Sequence, residues 1–385
     1  MSSTRVTDLD VGVTSAAELA GQLLVVGFSG RTVPEALALG LSRKELAGVV
    51  LFRRNLAPDV AGLIELQALC RAIGNAAAAG FPPLIAIDEE GGRVARLSPP
   101  ALVLPPMRCI ADLGDLALME RVARTLGRQL ASLGITMNFA PVVDVDTNPE
   151  NPIIGDRSLS RLPEPVVRMA GAYMRGLRSG GVQNCLKHYP GHGDTALDSH
   201  LALPTVEHTR ERLEAVELLP FRRLAGEADS IMTAHVVYPH LDADRPATLS
   251  PFIATELLRN QFGFQGVLFS DDLEMQAISE AHGAADAAGA ASIEGAACAA
   301  LRAGCDVLLV CSRADIQARV HEALVREIER DPSFRARCLV AARRSLALRR
   351  ARPPAPTSAA DLKRLLEAEV AALQTELAQC LDSAT

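Results

Sequence analysis

The chain alternates between two kinds of segment. Short runs that are apolar at nearly every position recur at Leu23–Phe28, Gly48–Phe52, Leu84–Asp88, Ile135–Val145, Asn184–Tyr189, Ser230–Val237, Gly266–Asp272 and Asp306–Val310. Longer stretches follow them, and in segments such as Pro163–Ser179 and Thr209–Gly226 the apolar positions return every three or four residues. A run apolar on both faces fits a strand that is covered on both sides, as in a parallel sheet. The second pattern predicts amphipathic helices, with Pro204 and Pro220 marking breaks or starts. Eight such alternations in about 350 residues favour a TIM-like (β/α)8 barrel over an open doubly wound sheet. The expected catalytic domain spans residues 1–350.

Beyond it, Ala351–Ala360 (ARPPAPTSAA) reads as a Pro- and Ala-rich linker, and residues 361–385 read as an amphipathic helix. Leu366, Val370, Leu373, Leu377 and Cys380 repeat there at spacings of four and three. That stripe would bury against the barrel or against a partner helix. Two heptads are too few for a stable coiled coil, so the expected assembly is a monomer or a weak homodimer through this helix.

Composition narrows the function classes. Thirty-nine Lys and Arg against 46 Asp and Glu give a net charge of -7, which disfavours nucleic acid as a partner. Apolar residues at 49% and charged residues at 22% are ordinary for a globular chain. No apolar run approaches the roughly 18 to 20 residues needed to span a bilayer, so no membrane role is expected. The N-terminal stretch carries acids and lacks the apolar core of a secretory signal peptide. Eight cysteines without a C-x-x-C pattern read as reduced thiols, and the expected location is cytoplasmic.

In a barrel the active site lies where the strands end. Polar residues collect there: Asp88, Asp144, Asp146, Lys187, His188, His235, Asp271 and Asp272. Buried charge is costly unless paired or used, so the set reads as an active-site rim. After the fifth run comes KHYPGHGDTALDSH, in which Gly191 and Gly193 allow a mobile loop, and Asp198 lies two residues before His200. A carboxylate that orients an imidazole suits a general acid/base near neutral pH. The same loop offers His192, Asp194, Asp198 and His200 as ligands for zinc or manganese, but without an H-E-x-x-H spacing. In GVLFSDDLEM, Asp271 could act as nucleophile, stabilise a cation or bind a hydroxyl, while Asp272 could cap the next helix. In IDEEGGRVARL, Asp88 with Arg93 and Arg96 could bind sugar hydroxyls and anionic substituents. GxGxxG and GxxxxGK[ST] phosphate loops are absent.

The strings IDEEGGRVAR, NFAPVVDVDTNPENPIIGDRSL, KHYPGHGDTALDSHLALP, MTAHVVYP and FSDDLEM stand in the order found in glycoside hydrolase family 3. From about Ala17 to Arg350 the chain resembles that family's single-domain bacterial β-N-acetylhexosaminidases, which act in peptidoglycan recycling. The resemblance implies a TIM-like barrel and a retaining exo-β-N-acetylglucosaminidase without metal or other cofactor. Asp271 would form a covalent glycosyl intermediate and His200, oriented by Asp198, would be the acid/base. It assigns sugar binding to Asp88, Arg96, Arg157, Lys187 and His188. Lys187 would help to keep Asp271 ionised. The implied substrate is a small carbohydrate, a GlcNAc-containing muropeptide or a chito-oligosaccharide. A β-N-acetylglucosaminide phosphorylase using the same residues and a metal-dependent hydrolase remain as alternatives. Tyr189 stands where the family more usually has Phe, a conservative departure.

Overall fold

The computed structural model describes residues 15–195, 203–275, 278 and 292–383. Its main sheet is built from β1 (Leu24–Val26), β2 (Gly48–Leu51), β3 (Leu84–Ile87), β4 (Met137–Asn138), β5 (Cys185–Tyr189), β6 (Ser230–Thr233), β9 (Val267–Asp272) and β10 (Val307–Val310). A separate hairpin, β7 (Val237–Tyr238) with β8 (Asp242–Pro246), follows β6. The eight main strands pair in parallel in the order β4-β3-β2-β1-β10-β9-β6-β5. Parallel bridges from Met137 to Gln183 and from Val142 to Lys187 bring the two outer strands together, so the sheet wraps into a TIM-like barrel.

The continuous apolar runs have a simple cause. Side chains alternate across a strand, and here both faces are dry. Val25, Val50, Leu84, Ala86, Cys185, Val267, Phe269, Val307 and Leu309 belong to one cluster, inside the barrel. Leu24, Val26, Ile85, Ile87, Leu268, Leu308 and Val310 belong to the other, between the barrel and its helices. The inner series on β3, β5 and β9 end on Asp88, Lys187 and Asp271, which keep the same parity. Alternation therefore points these three groups at the barrel mouth.

Helices cover the outside. Leu116–Leu133 begins at Asp115, whose side chain accepts the N–H groups of Ala117 and Leu118, and Pro163–Ser179 has proline in its first turn. The patterned segment 209–226 forms two short helices, Arg210–Ala215 and Leu219–Leu224, because Pro220 has no N–H with which to continue the first. β4 is shorter than the expected run 135–145. Pro141 has no N–H to give to a ladder, although Val143 N–H still reaches the Lys187 carbonyl at 2.8 Å.

Residues Ala359–Asp382 form one helical stretch with a π-helical middle, and its Leu362, Leu365, Leu366, Val370, Leu373 and Leu377 are buried. It packs on the helices Asp59–Ala76 and Leu116–Leu133, and Gln374 exchanges two hydrogen bonds with the main chain of Val103 in the connecting loop at 3.1 and 3.0 Å. The cysteines are free thiols, five of them buried. Among the described residues no helix is long and apolar enough to cross a membrane.

Candidate active site

A pocket of about 270 Å³ opens at the C-terminal ends of the strands. Asp88, Glu90, Arg96, Arg157, Lys187, His188, His192, Asp271 and Asp272 line it together with apolar groups such as Phe52, Phe139 and Met232. Loop 90–96 reaches it by a tight turn at Gly91 and Gly92, both at positive φ. Gly193 lies so close to the Val145 carbonyl that a Cβ there would sit 1.8 Å from the oxygen, which fixes how the segment after β5 leaves the barrel.

One wall is a chain of ion pairs. Lys187 Nζ donates to Asp88 Oδ1 at 2.8 Å and lies 2.6 Å from Glu90 Oε1. Arg157 clasps Glu90 through two parallel bonds of 2.9 and 2.8 Å, and Arg96 Nη2 stands 3.4 Å from Asp88 Oδ2. Burial works against every charge here. For Glu90, Arg157 and Lys187 outweigh it and hold the carboxyl well below the carboxylate range. For Lys187, Asp88 and Glu90 outweigh it and raise the ammonium above its ordinary value.

A second group surrounds Asp144, which is fully buried. Its Oδ2 lies 2.7 Å from His188 Nδ1, and its Oδ1 accepts the His192 main-chain N–H at 2.6 Å. Burial of the Asp144 carboxyl is outweighed by the two histidines, so its pKa falls. His192 goes down to about 4, by burial and then by the charge on His188, so it is neutral at pH 7.

The two adjacent acids of β9 are pushed apart. Burial raises Asp271, but the fields of His235 and His188, the Asp272 N–H at 2.8 Å and Lys187 bring it below its ordinary value. Asp272 goes up to about 7 through burial, with the Glu274 and Asp271 charges adding to it. Asp272 Oδ1 accepts the N–H groups of Glu274 and Cys311 at 3.1 and 3.2 Å. Environments that separate two neighbouring carboxyls in this way assign them different work. Asp271 is the one kept ionised, and Lys187 contributes to that behind the two histidines.

The structure thus gathers Asp88, Arg96, Arg157, Lys187, His188 and Asp271 around one pocket. Asp198 and His200 lie outside the described residues. Arg93 is turned away from the pocket and donates to the carbonyls of residues 152–154. Asp146 pairs with Arg108 and Arg161 at 3.2 and 3.4 Å. Of the suggested metal ligands, His192 faces Thr195 at 2.8 Å, and Asp194 lies 2.8 Å from Thr147 and 2.7 Å from His208. Among the described residues no group of three or more His, Cys, Asp or Glu is arranged to hold a metal. Glu90 and Glu89 escaped the sequence reading, although Glu90 shares the parity of Asp88.

Glu89 faces the other way, is 2% exposed, and goes up to about 7, chiefly by burial against the two N–H bonds that it accepts. A folded-state pKa above the unfolded value favours the native state at low pH, and that stability is lost as pH rises from about 4.5 through 7. Glu89→Gln keeps the acceptor without the charge. Its melting temperature relative to the parent is expected to climb between pH 5 and 8, by on the order of 3 kcal/mol in stability. A pH-independent difference would rule out the raised pKa.

The family model described as glycosyl hydrolase family 3 N-terminal domain matches residues 16–336. The chain is 40% identical over 286 residues to a β-hexosaminidase of Neisseria meningitidis serogroup C, covering 72% of this chain and 74% of that one. It is 38% identical to β-hexosaminidase A of Pseudoalteromonas piscicida, but spans only half of that protein's length, with 74% of this chain covered. A glycoside hydrolase family 3 β-N-acetylglucosaminidase from Paenibacillus sp. str. FPU-7 superposes with TM-score 0.81 at 36% identity, over 92% of this chain and 68% of that one. NagZ from Neisseria gonorrhoeae in complex with N-trifluoroacetyl-D-glucosamine gives 0.74 at 31% identity, over 93% and 98%.

Proposed function

The chain belongs to glycosyl hydrolase family 3, and on that footing we propose that it is a retaining exo-β-N-acetylglucosaminidase. The observation that supports this reading is Asp271, a half-buried carboxyl held below its ordinary pKa, at a pocket of about 270 Å³. That volume lies just under the roughly 300 Å³ at which sites for drug-sized ligands begin, so it suits one terminal sugar ring.

In the proposed mechanism Asp271 attacks the anomeric carbon and the aglycone oxygen leaves with a proton. Water then breaks the glycosyl-Asp271 ester and releases the sugar with retained configuration. His200, oriented by Asp198, gives the first proton and takes one from the water in the second step; an imidazole with a pKa near 6.5 serves both. Asp88, Arg96, Arg157, Lys187 and His188 hold the ring. The natural aglycone on this reading is a cell-wall muropeptide or a chito-oligosaccharide, handled in the cytoplasm.

The test is release of p-nitrophenol from the β-N-acetylglucosaminide and the β-glucoside, with and without phosphate and EDTA. Cleavage of the acetylated sugar alone, indifferent to both additives, is expected. Phosphate-dependent turnover would replace the reading by a phosphorylase, and loss in EDTA by a metal-dependent hydrolase. Silence on both sugars from folded protein would overturn it.

A further inference from the structure

Residues Ala95–Leu97 belong to no helix or strand, yet Ala95 and Leu97 are buried. Buried main-chain groups need partners, and here side chains provide them. Arg53, just after β2, donates to the Ala95 carbonyl from Nε at 3.0 Å and from Nη2 at 2.8 Å. Glu89, just after β3, accepts the N–H groups of Arg96 and Leu97 on one carboxylate oxygen, at 2.7 and 3.0 Å. Glu89 is itself tied down, because its main-chain N–H and carbonyl both bond the side chain of Asn138, at 2.9 and 2.7 Å. Two consecutive peptide groups, 95–96 and 96–97, are therefore gripped by a cation on one side and an acid on the other.

What this segment carries is Arg96. The guanidinium lies 5.9 Å from the Phe52 ring and 3.4 Å from Asp88 Oδ2, and its Nε is buried with no hydrogen-bond partner among the described residues. Neither Arg53 nor Glu89 lines the pocket, so an effect they have on the sugar passes through a neighbour that does, and Arg96 is the lining residue whose main chain both of them hold in place.

We propose that Arg53 and Glu89 are positioning residues that set where Arg96 meets the sugar, an inference that rests on the reading of Arg96 as a sugar-binding group. A planar guanidinium recognises its partner by angle as well as by charge, so a small displacement weakens binding while the reacting bond is unaffected.

The test is steady-state kinetics of the full chain on p-nitrophenyl β-N-acetylglucosaminide. Arg96→Ala is expected to raise KM about tenfold, and Arg53→Ala and Glu89→Ala to raise it roughly fivefold, with kcat within about threefold of the parent. Glu89→Gln, which keeps the acceptor oxygen, should recover most of the loss. In the Arg53→Ala/Arg96→Ala and Glu89→Ala/Arg96→Ala doubles KM should equal that of Arg96→Ala alone, because residues acting through one group are not additive. Arg53 is exposed, so its variant keeps the test alive if Glu89→Ala does not fold. KM raised by Arg96→Ala but not by Arg53→Ala, or additive doubles, would overturn the proposal. An unchanged KM for Arg96→Ala would instead remove the reading on which it rests.

Discussion

Replacing Asp271 by Asn is expected to lower kcat on β-N-acetylglucosaminides by at least about 10⁴-fold, because the amide cannot form the glycosyl ester. The fold should survive. Asn can still accept the Asp272 N–H through its amide oxygen, and removing this half-buried carboxylate leaves Lys187 paired, since it is held by Asp88 and Glu90. The check is threefold: rate, thermal melting, and mass spectrometry after incubation with a fluorinated, slowly turning-over glycoside. The parent chain should carry one sugar on the peptide that contains Asp271, and the variant none. A sugar found on Asp272 or Asp88 would show the nucleophile to be misassigned. The opposite pushes on the two β9 carboxyls make Asp271 the candidate, since Asp272 is protonated over part of the neutral range.

His200→Ala should produce the second-largest effect, and its signature is selectivity. On a disaccharide, whose leaving sugar alcohol is a poor leaving group, loss of the proton donor is expected to cost roughly 10² to 10⁴-fold. On a dinitrophenyl glycoside the leaving group needs no proton, so formation of the intermediate should be nearly normal and its hydrolysis slow. A burst of phenol would follow, and added azide should relieve the slow step by attacking the intermediate without a base. Equal losses on both substrates, with no burst, would take the acid/base role away from His200.

Much of this was readable from the residues. The eight runs appeared as apolar on both faces, and the structure explains why: one parity fills the barrel and the other meets the helices. Asp88, Lys187 and Asp271 stood out because charge at the end of such a run has no packing reason. The misses share a cause. Arg93 and Arg96 look alike in sequence, yet only Arg96 reaches Asp88, because the gripped segment Ala95–Leu97 directs Arg96 while the carbonyls of residues 152–154 hold Arg93. Nothing in the sequence singles out Glu90, the third acid in a row; its burial comes from Arg157, 67 residues away. Contacts between distant loops leave no periodic trace. The same holds for the order of influence on Asp271, where His235 and His188 come before Lys187.

A one-residue insertion within β3, β5 or β9 would exchange the two faces of the strand and carry Asp88, Lys187 or Asp271 out of the pocket. Insertions beyond the strand ends leave those frames intact. Lineages that descend from such a chain can therefore lengthen, shorten or exchange segments around the mouth while Asp88, Lys187 and Asp271 are inherited as fixed staves.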